Sequence, residues 1–141
     1  MPLARIDLIK GKPAEYRQTI GDVYTAMVKI LKARKNDRFQ IIAEHDPTDF
    51  IYDPNFFGIS RSKDVIFVQL TLAEGRTLEQ KQSFYKRVVD DLHERLRIRR
   101  EDVFFSLVGT GRDDWSFGNG EASLVNPETG PDERKRSSGA C

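Results

Sequence analysis

Cysteine is almost missing from this chain. The single one, Cys141, is the last of 141 residues, so no intrachain disulfide can form. A thiol at the end of a polar tail also has nothing to position or activate it as a nucleophile. Histidine is nearly as scarce. His45 and His93 are the only two, and neither has neighbours at metal-ligand spacing. We therefore expect no metal site and no cofactor, and we assign neither histidine a role. Long apolar runs are lacking too. None approaches the ~18 residues that cross a bilayer, and the opening MPLARIDLIKGK has no apolar secretory core. A dominant charge is also absent. The net charge of +1 argues neither for nor against a nucleic-acid partner. The expectation is a cytoplasmic protein, with no membrane or nucleic acid among its partners.

What remains is enough for one domain. A chain of this length, 38% hydrophobic and 32% charged, can bury a core without staples. Residues 2–9 alternate apolar and polar, with Leu3, Ile6 and Leu8 among Arg5 and Asp7, and read as a strand. Gly11 ends it, and Pro13 suits a first helical turn. From Ala14 to Ala33 the positions Ile20, Val23, Tyr24, Met27, Val28, Ile30 and Leu31 follow helical spacing. DRFQIIAE from Asp37 reads as a second strand. Residues 46–62 form a long aromatic-rich connection, part of which should pack on the body. VIFVQLTL from Val65 is nearly all apolar, as in a strand buried on both faces. Thr77 with Gln80 is a capping box opening a helix to about Leu96. DVFFSLV from Asp102 makes a fourth strand, followed by a loop over 109–120. The tail 126–141 is almost free of apolar residues and is expected to be disordered, outside a single domain over 1–125.

The two halves, about 2–46 and 64–110, echo each other. A shift of about 64 residues sets Gly11 on Gly75, Lys12 on Arg76, Glu15 on Glu79, Gln18 on Gln82 and Asp37 on Glu101. Each half runs strand, glycine, helix, strand. Two right-handed βαβ units predict an α/β (α+β) fold, a four-stranded sheet with two helices on one face. The uncovered face of such a sheet would be too apolar for water, which predicts an oligomer.

Pro2 has the most distinctive chemistry. Methionine aminopeptidases remove Met1 when a small residue follows, and proline qualifies, so a free secondary amine is expected. A chain-terminal amine titrates near ~7.7–8.0, which allows proton exchange at neutral pH. The plainer reading is a strand-opening proline.

A start of MP before an alternating strand, the duplicated βαβ pattern, and EGRT with EQK after the third strand together resemble the tautomerase superfamily. Within it, the sequence is most similar to the malonate semialdehyde decarboxylase group. The residues that carry this are MPLARIDLIKG, DRFQIIAEHDP at Asp37–Pro47, FGISRS at Phe57–Ser62 and DWSFGNGEA at Asp114–Ala122. The resemblance implies homotrimers of β-α-β-α-β subunits with an amino-terminal catalytic proline. It places the catalytic residues at Pro2 and Asp37, with Trp115 and Phe117 lining the pocket; Arg76 joins them as our own candidate for catalysis and substrate binding. Decarboxylases of the group carry an R-x-R pair after the third strand. Here those positions read Ala73 and Gly75, and the arginine is Arg76, so a single arginine is left for the substrate carboxylate.

The residues suit the implied chemistry. Neutral, the Pro2 amine is a general base for tautomerisation. Charged, it polarises a carbonyl, or it condenses to an iminium that accepts electrons. Asp37 would favour the cation or activate a water. Arg76, ahead of a helix start, would grip a carboxylate in two places. Trp115 and Phe117 would form an apolar wall beside it. The expected activity is cofactor-independent decarboxylation of a short 3-oxo acid such as malonate semialdehyde, with hydration of acetylenic or haloacrylic acids by the same parts. The alternatives are keto–enol tautomerisation of a 2-oxo acid such as phenylpyruvate, and a binding protein that retains the enzyme fold.

Overall fold

The computed structural model describes residues 2–125. Met1 and the tail expected to be disordered lie outside the described residues. The chain divides into two compact units, residues 1–108 and 109–141. The first holds β1 (Leu3–Ile9), α1 (Glu15–Gly21), α2 (Val23–Ile30), β2 (Phe39–His45), β3 (Ile66–Ala73), α3 (Leu78–Leu96) and most of β4 (Val103–Thr110). The strands form one sheet in the order β2-β1-β3-β4. β1 is parallel to β2, with Leu3 opposite Phe39 and Ile9 opposite His45. It is antiparallel to β3, with Leu3 opposite Thr71 and Leu8 opposite Ile66. The expected α+β sheet with helices on one face is the fold.

The period-2 alternation decides which side chains are buried. Ala4, Ile6 and Leu8 of β1 and Ile66, Val68, Leu70 and Leu72 of β3 lie in one core with Ile20, Met27, Phe84, Val88 and Leu92 from the helices. Phe84 is fully buried and meets the Phe105 ring edge-on at 5.7 Å. The capping box read in the sequence starts α3. Gln80 N–H donates to Thr77 Oγ1 at 3.1 Å, and Thr77 N–H donates to Gln80 Oε1 at 2.9 Å. The repeat-related Gly11 and Gly75 share an unusual backbone, with φ of +107° and +113°, a region open to glycine and strained for other residues.

Two features differ from the sequence reading. The helix expected over 14–33 is broken at Asp22 into α1 and α2. The break falls at Gly21 and Asp22, both poor helix formers, and another element contacts it there. Gln40 Nε2 donates to the Gly21 carbonyl at 3.1 Å, and the Arg38 guanidinium approaches the same oxygen. Thr25 N–H, which an uninterrupted helix would direct to Gly21, donates instead to the Asp22 carbonyl at 2.9 Å. In addition, β3 is buried on one face within this chain. Its other face leaves Gln69 exposed and Phe67 and Thr71 half-buried. Phe39 and Ile41 of β2, 53% and 47% exposed, share that open face.

The connection after β2 packs on the body in part, as expected. Phe50 is buried with Ile9 and Val65, whereas Ile51 and Phe57 stand in solvent. The connection is fastened by Asp102, a fully buried carboxylate missed in the sequence. Asp102 accepts the Ser62 backbone N–H at 2.7 Å and the Ser62 hydroxyl at 2.6 Å.

Candidate active site

The strand register determines which sequence candidates meet. Pro2 is buried immediately before β1. Asp37 lies two residues before β2, and Arg76 lies three residues after β3. Leu3 is opposite Phe39 on one side and Thr71 on the other. The start of β1, the start of β2 and the end of β3 therefore form one end of the sheet, on strands about 4.8 Å apart. Pro2, Asp37 and Arg76 thus neighbour strand ends at the same end of the sheet although they are far apart in sequence.

Each is held by local structure. Asp37 is 5% exposed and is the only buried residue from Lys32 to Arg38. Its backbone N–H donates to the Arg34 carbonyl at 3.3 Å. The loop is pinned further by Tyr24 of α2, whose hydroxyl donates to the Arg34 carbonyl at 2.6 Å and also reaches the Lys35 carbonyl. Lys32, Arg34, Lys35 and Arg38 surround Asp37 with exposed positive charge, which favours anions at this end of the sheet.

Arg76 is half-buried, and two of its donors are engaged. Nε donates to the Leu31 carbonyl at 3.0 Å, and Nη1 donates to the Ala73 carbonyl at 2.7 Å. The two-point grip expected of this guanidinium is thus directed at the backbone, which leaves three N–H groups, two on Nη2 and one on Nη1, for an anion. Desolvation pulls Arg76 below the ordinary arginine value, but the group stays cationic at any working pH. Leu31 ends α2 and opens the loop that leads to Asp37, so Arg76 also fixes where that loop begins.

Trp115 and Phe117 belong to the second unit. Their rings lie 5.9 Å apart, tilted at 40°. Trp115 Nε1–H donates to Thr110 Oγ1 at 2.9 Å, and Phe117 N–H donates to Ser123 Oγ at 2.9 Å. They form an ordered aromatic pair with apolar surface left over, Phe117 being 41% exposed.

The histidines have structural partners. His45 Nε2 lies 2.6 Å from Asp7 Oδ1, at the opposite end of the sheet from Pro2. His93 Nδ1 lies 3.0 Å from the Ile98 carbonyl. No group of three or more His, Cys, Asp or Glu residues able to hold a metal occurs among the described residues. No helix among them is long and apolar enough to cross a membrane. Sequence reasoning missed Tyr24 and the basic rim. The run KARKNDR gave the signal for the rim. Nothing in the sequence distinguished Tyr24 from an ordinary helical core residue.

Comparison with known proteins gives consistent matches. Two family models described as tautomerase enzymes match residues 37–118 and 2–59. A probable tautomerase of Bacillus subtilis, YusQ, is 33% identical over 89% of this chain and 99% of its own length. Among solved structures, a malonate semialdehyde decarboxylase inhibited by 3-bromopropiolate is 36% identical, with a TM-score of 0.78 over 89% of this chain and 96% of that one. A second malonate semialdehyde decarboxylase is 29% identical, with a TM-score of 0.78 over 91% and 99%. That one was solved as wild type, as an inactivated form and as a mutant with alanine in place of its first residue, a proline, and its structures were related to decarboxylase and hydratase activities.

Proposed function

This chain belongs to the tautomerase family, and on that premise we propose that it is a cofactor-independent lyase whose Pro2 amine decarboxylates a short 3-oxo acid such as malonate semialdehyde. The observation that carries the reading is the strand register, which sets the strand ends next to Pro2, Asp37 and Arg76 at one end of the sheet. The likeness to two decarboxylases at 29% and 36% identity supports it.

In this reading Met1 is removed and the Pro2 amine faces the substrate aldehyde. As a cation it hydrogen-bonds the carbonyl oxygen; unprotonated, it adds to the carbonyl carbon and loses water to give an iminium, which later takes the water back to release product. Either form draws the electrons of the breaking C1–C2 bond toward itself. CO2 leaves, C2 takes a proton, and acetaldehyde remains. Asp37 favours the charged amine through its own negative charge. Arg76 orients the substrate carboxylate through Nη2. A single contact holds the carboxylate without overstabilising the charge that must spread as CO2 departs. The basic rim from Lys32 to Arg38 draws the anionic substrate in.

The subunits assemble as a homotrimer in this reading. The half-exposed Phe39 and Ile41 on the open sheet face are what assembly would cover.

A second reading has its own support. Pro2 is buried, and burial disfavours the cation. The neutral amine would then act as a base in keto–enol tautomerisation of a 2-oxo acid such as phenylpyruvate.

Intact mass combined with borohydride trapping tests the first reading. The expected result is a chain lacking Met1 that gains a reduced adduct on Pro2 when malonate semialdehyde and borohydride are both present. The pH–rate profile separates the two. Turnover that falls as the amine deprotonates fits decarboxylation by the cation; turnover that rises fits an unprotonated amine, and then a trapped adduct marks the iminium route and its absence marks the base. A fully active protein that keeps Met1 would refute both.

A further inference from the structure

We propose that Tyr24 is a positioning residue for Asp37, an inference that rests on the catalytic reading of Asp37 given above. The loop from Lys32 to Arg38 contains no helix or strand, and beyond Ala33, which is half-buried against the core, it is exposed except at Asp37. Such a segment does not by itself hold a carboxylate at a fixed point. Tyr24 engages it on both sides of Asp37. Before Asp37, the single Tyr24 hydroxyl proton is shared between the carbonyls of Arg34 and Lys35. After Asp37, the Arg38 guanidinium lies over the Tyr24 ring, 5.5 Å from its centre. The ring itself is packed against the core from α2, so the clamp is anchored in rigid structure.

The two ends of the loop are thereby referred to the same helix. Arg76 holds the Leu31 carbonyl where the loop starts, and Tyr24 holds the loop three residues and two residues before Asp37. Asp37 N–H closes the turn on the Arg34 carbonyl, one of the two oxygens Tyr24 grips. Loss of the hydroxyl releases that turn and lets the Asp37 carboxylate drift relative to Pro2. A displacement on the order of 1 Å in a reacting constellation costs up to ~100-fold in rate.

Tyr24→Phe is the test, because it keeps the ring and the Arg38 contact and removes only the hydroxyl. The variant is expected to lower kcat about 10-fold with KM nearly unchanged, to shift the pH–rate profile, and to speed amide exchange over residues 32–38 but not along α3. Asp37→Asn and the double variant are measured beside it with malonate semialdehyde and with phenylpyruvate. If Tyr24 acts through Asp37, the double variant is no slower than Asp37→Asn alone. Multiplying losses overturn the inference, because they mean that the tyrosine acts independently. Unchanged exchange over 32–38 overturns it, as does faster exchange with a wild-type kcat and pH profile. Asp37→Asn with full turnover refutes the catalytic reading of Asp37 itself, and the positioning role falls with it.

Discussion

Replacing Asp102 by alanine should cost this protein far more stability than activity. The side chain is fully buried, and its two oxygens accept from the Ser62 N–H at 2.7 Å and the Ser62 hydroxyl at 2.6 Å. Hydrogen bonds to a charged acceptor contribute about 1.5–3 kcal/mol each. Alanine loses both and strands two donors beneath the connection before β3. Part of that loss is offset, because a buried charge costs several kcal/mol of desolvation. The net destabilisation is therefore about 3 kcal/mol. For a chain of this size, that lowers Tm by about 10 °C.

Ser62→Ala provides the internal control. It removes the hydroxyl but keeps the backbone donor, so it should cost about 1–2 kcal/mol. Urea and thermal unfolding of both single variants and the double variant give the coupling between them, expected at about 1 kcal/mol. Ser62 lies four residues before Ile66, whose partner Leu8 is near the far end of β1 from Pro2. Turnover per folded molecule should therefore stay at the wild-type level. Asp102→Ala within ~0.5 kcal/mol of wild type would refute the reasoning, since a fully buried acceptor of two hydrogen bonds cannot be that neutral.

Pro2→Ala should keep the wild-type unfolding midpoint and lose about 10²–10⁴-fold in turnover, the range for a positioned proton-transfer group; steady-state kinetics on the mature protein checks this. Arg76→Lys should lose about 1–2 kcal/mol in urea unfolding and raise KM for a carboxylate substrate, because an ammonium cannot reproduce the planar fork that spans the Leu31 and Ala73 carbonyls. Asp90 sits between Lys86 and Arg100, which hold its pKa down from 3.8 to about 2. A depressed carboxylate pKa adds stability above the unfolded value that disappears as pH falls through the folded one. Asp90→Asn should therefore unfold more easily than wild type at pH 5, with the gap closing between about pH 4 and pH 2 and shrinking in high salt.

Much of the scaffold was legible because its determinants are local. The alternation in β1, the helical spacing of Phe84, Val88 and Leu92, and the Thr77–Gln80 capping box each lie within a few residues of sequence. The repeat was legible through Gly11 and Gly75, which share a positive φ. What escaped depends on contacts between distant segments. The break at Asp22 falls on Gly21 and Asp22, both poor helix formers, but the contacts of Gln40 and Arg38 with the Gly21 carbonyl are visible only in the fold. Tyr24 follows the apolar stripe of its helix, and only the folded loop shows what its hydroxyl holds. The two-point grip expected of Arg76 exists, but on backbone oxygens that the sequence could not place nearby.

The repeat also accounts for why the two ends of the sheet differ. Residue 37 precedes β2 as residue 101 precedes β4, so the duplication offers a carboxylate at both ends. Asp37 is buried at the Pro2 end. Its counterpart Glu101 is exposed and paired with Arg99 at 2.7 Å, while the next residue, Asp102, is buried and bound to Ser62. A chain has only one amino terminus, so only one half can present an amine before its first strand. In the other half the matching strand, β3, is preceded by the connection that Ser62 closes. The carboxylate there accepts the Ser62 backbone N–H and the Ser62 hydroxyl. The same duplicated architecture thus yields a candidate reactive end and a fastened end, and the rate and unfolding responses of Pro2→Ala and Asp102→Ala should separate along that division.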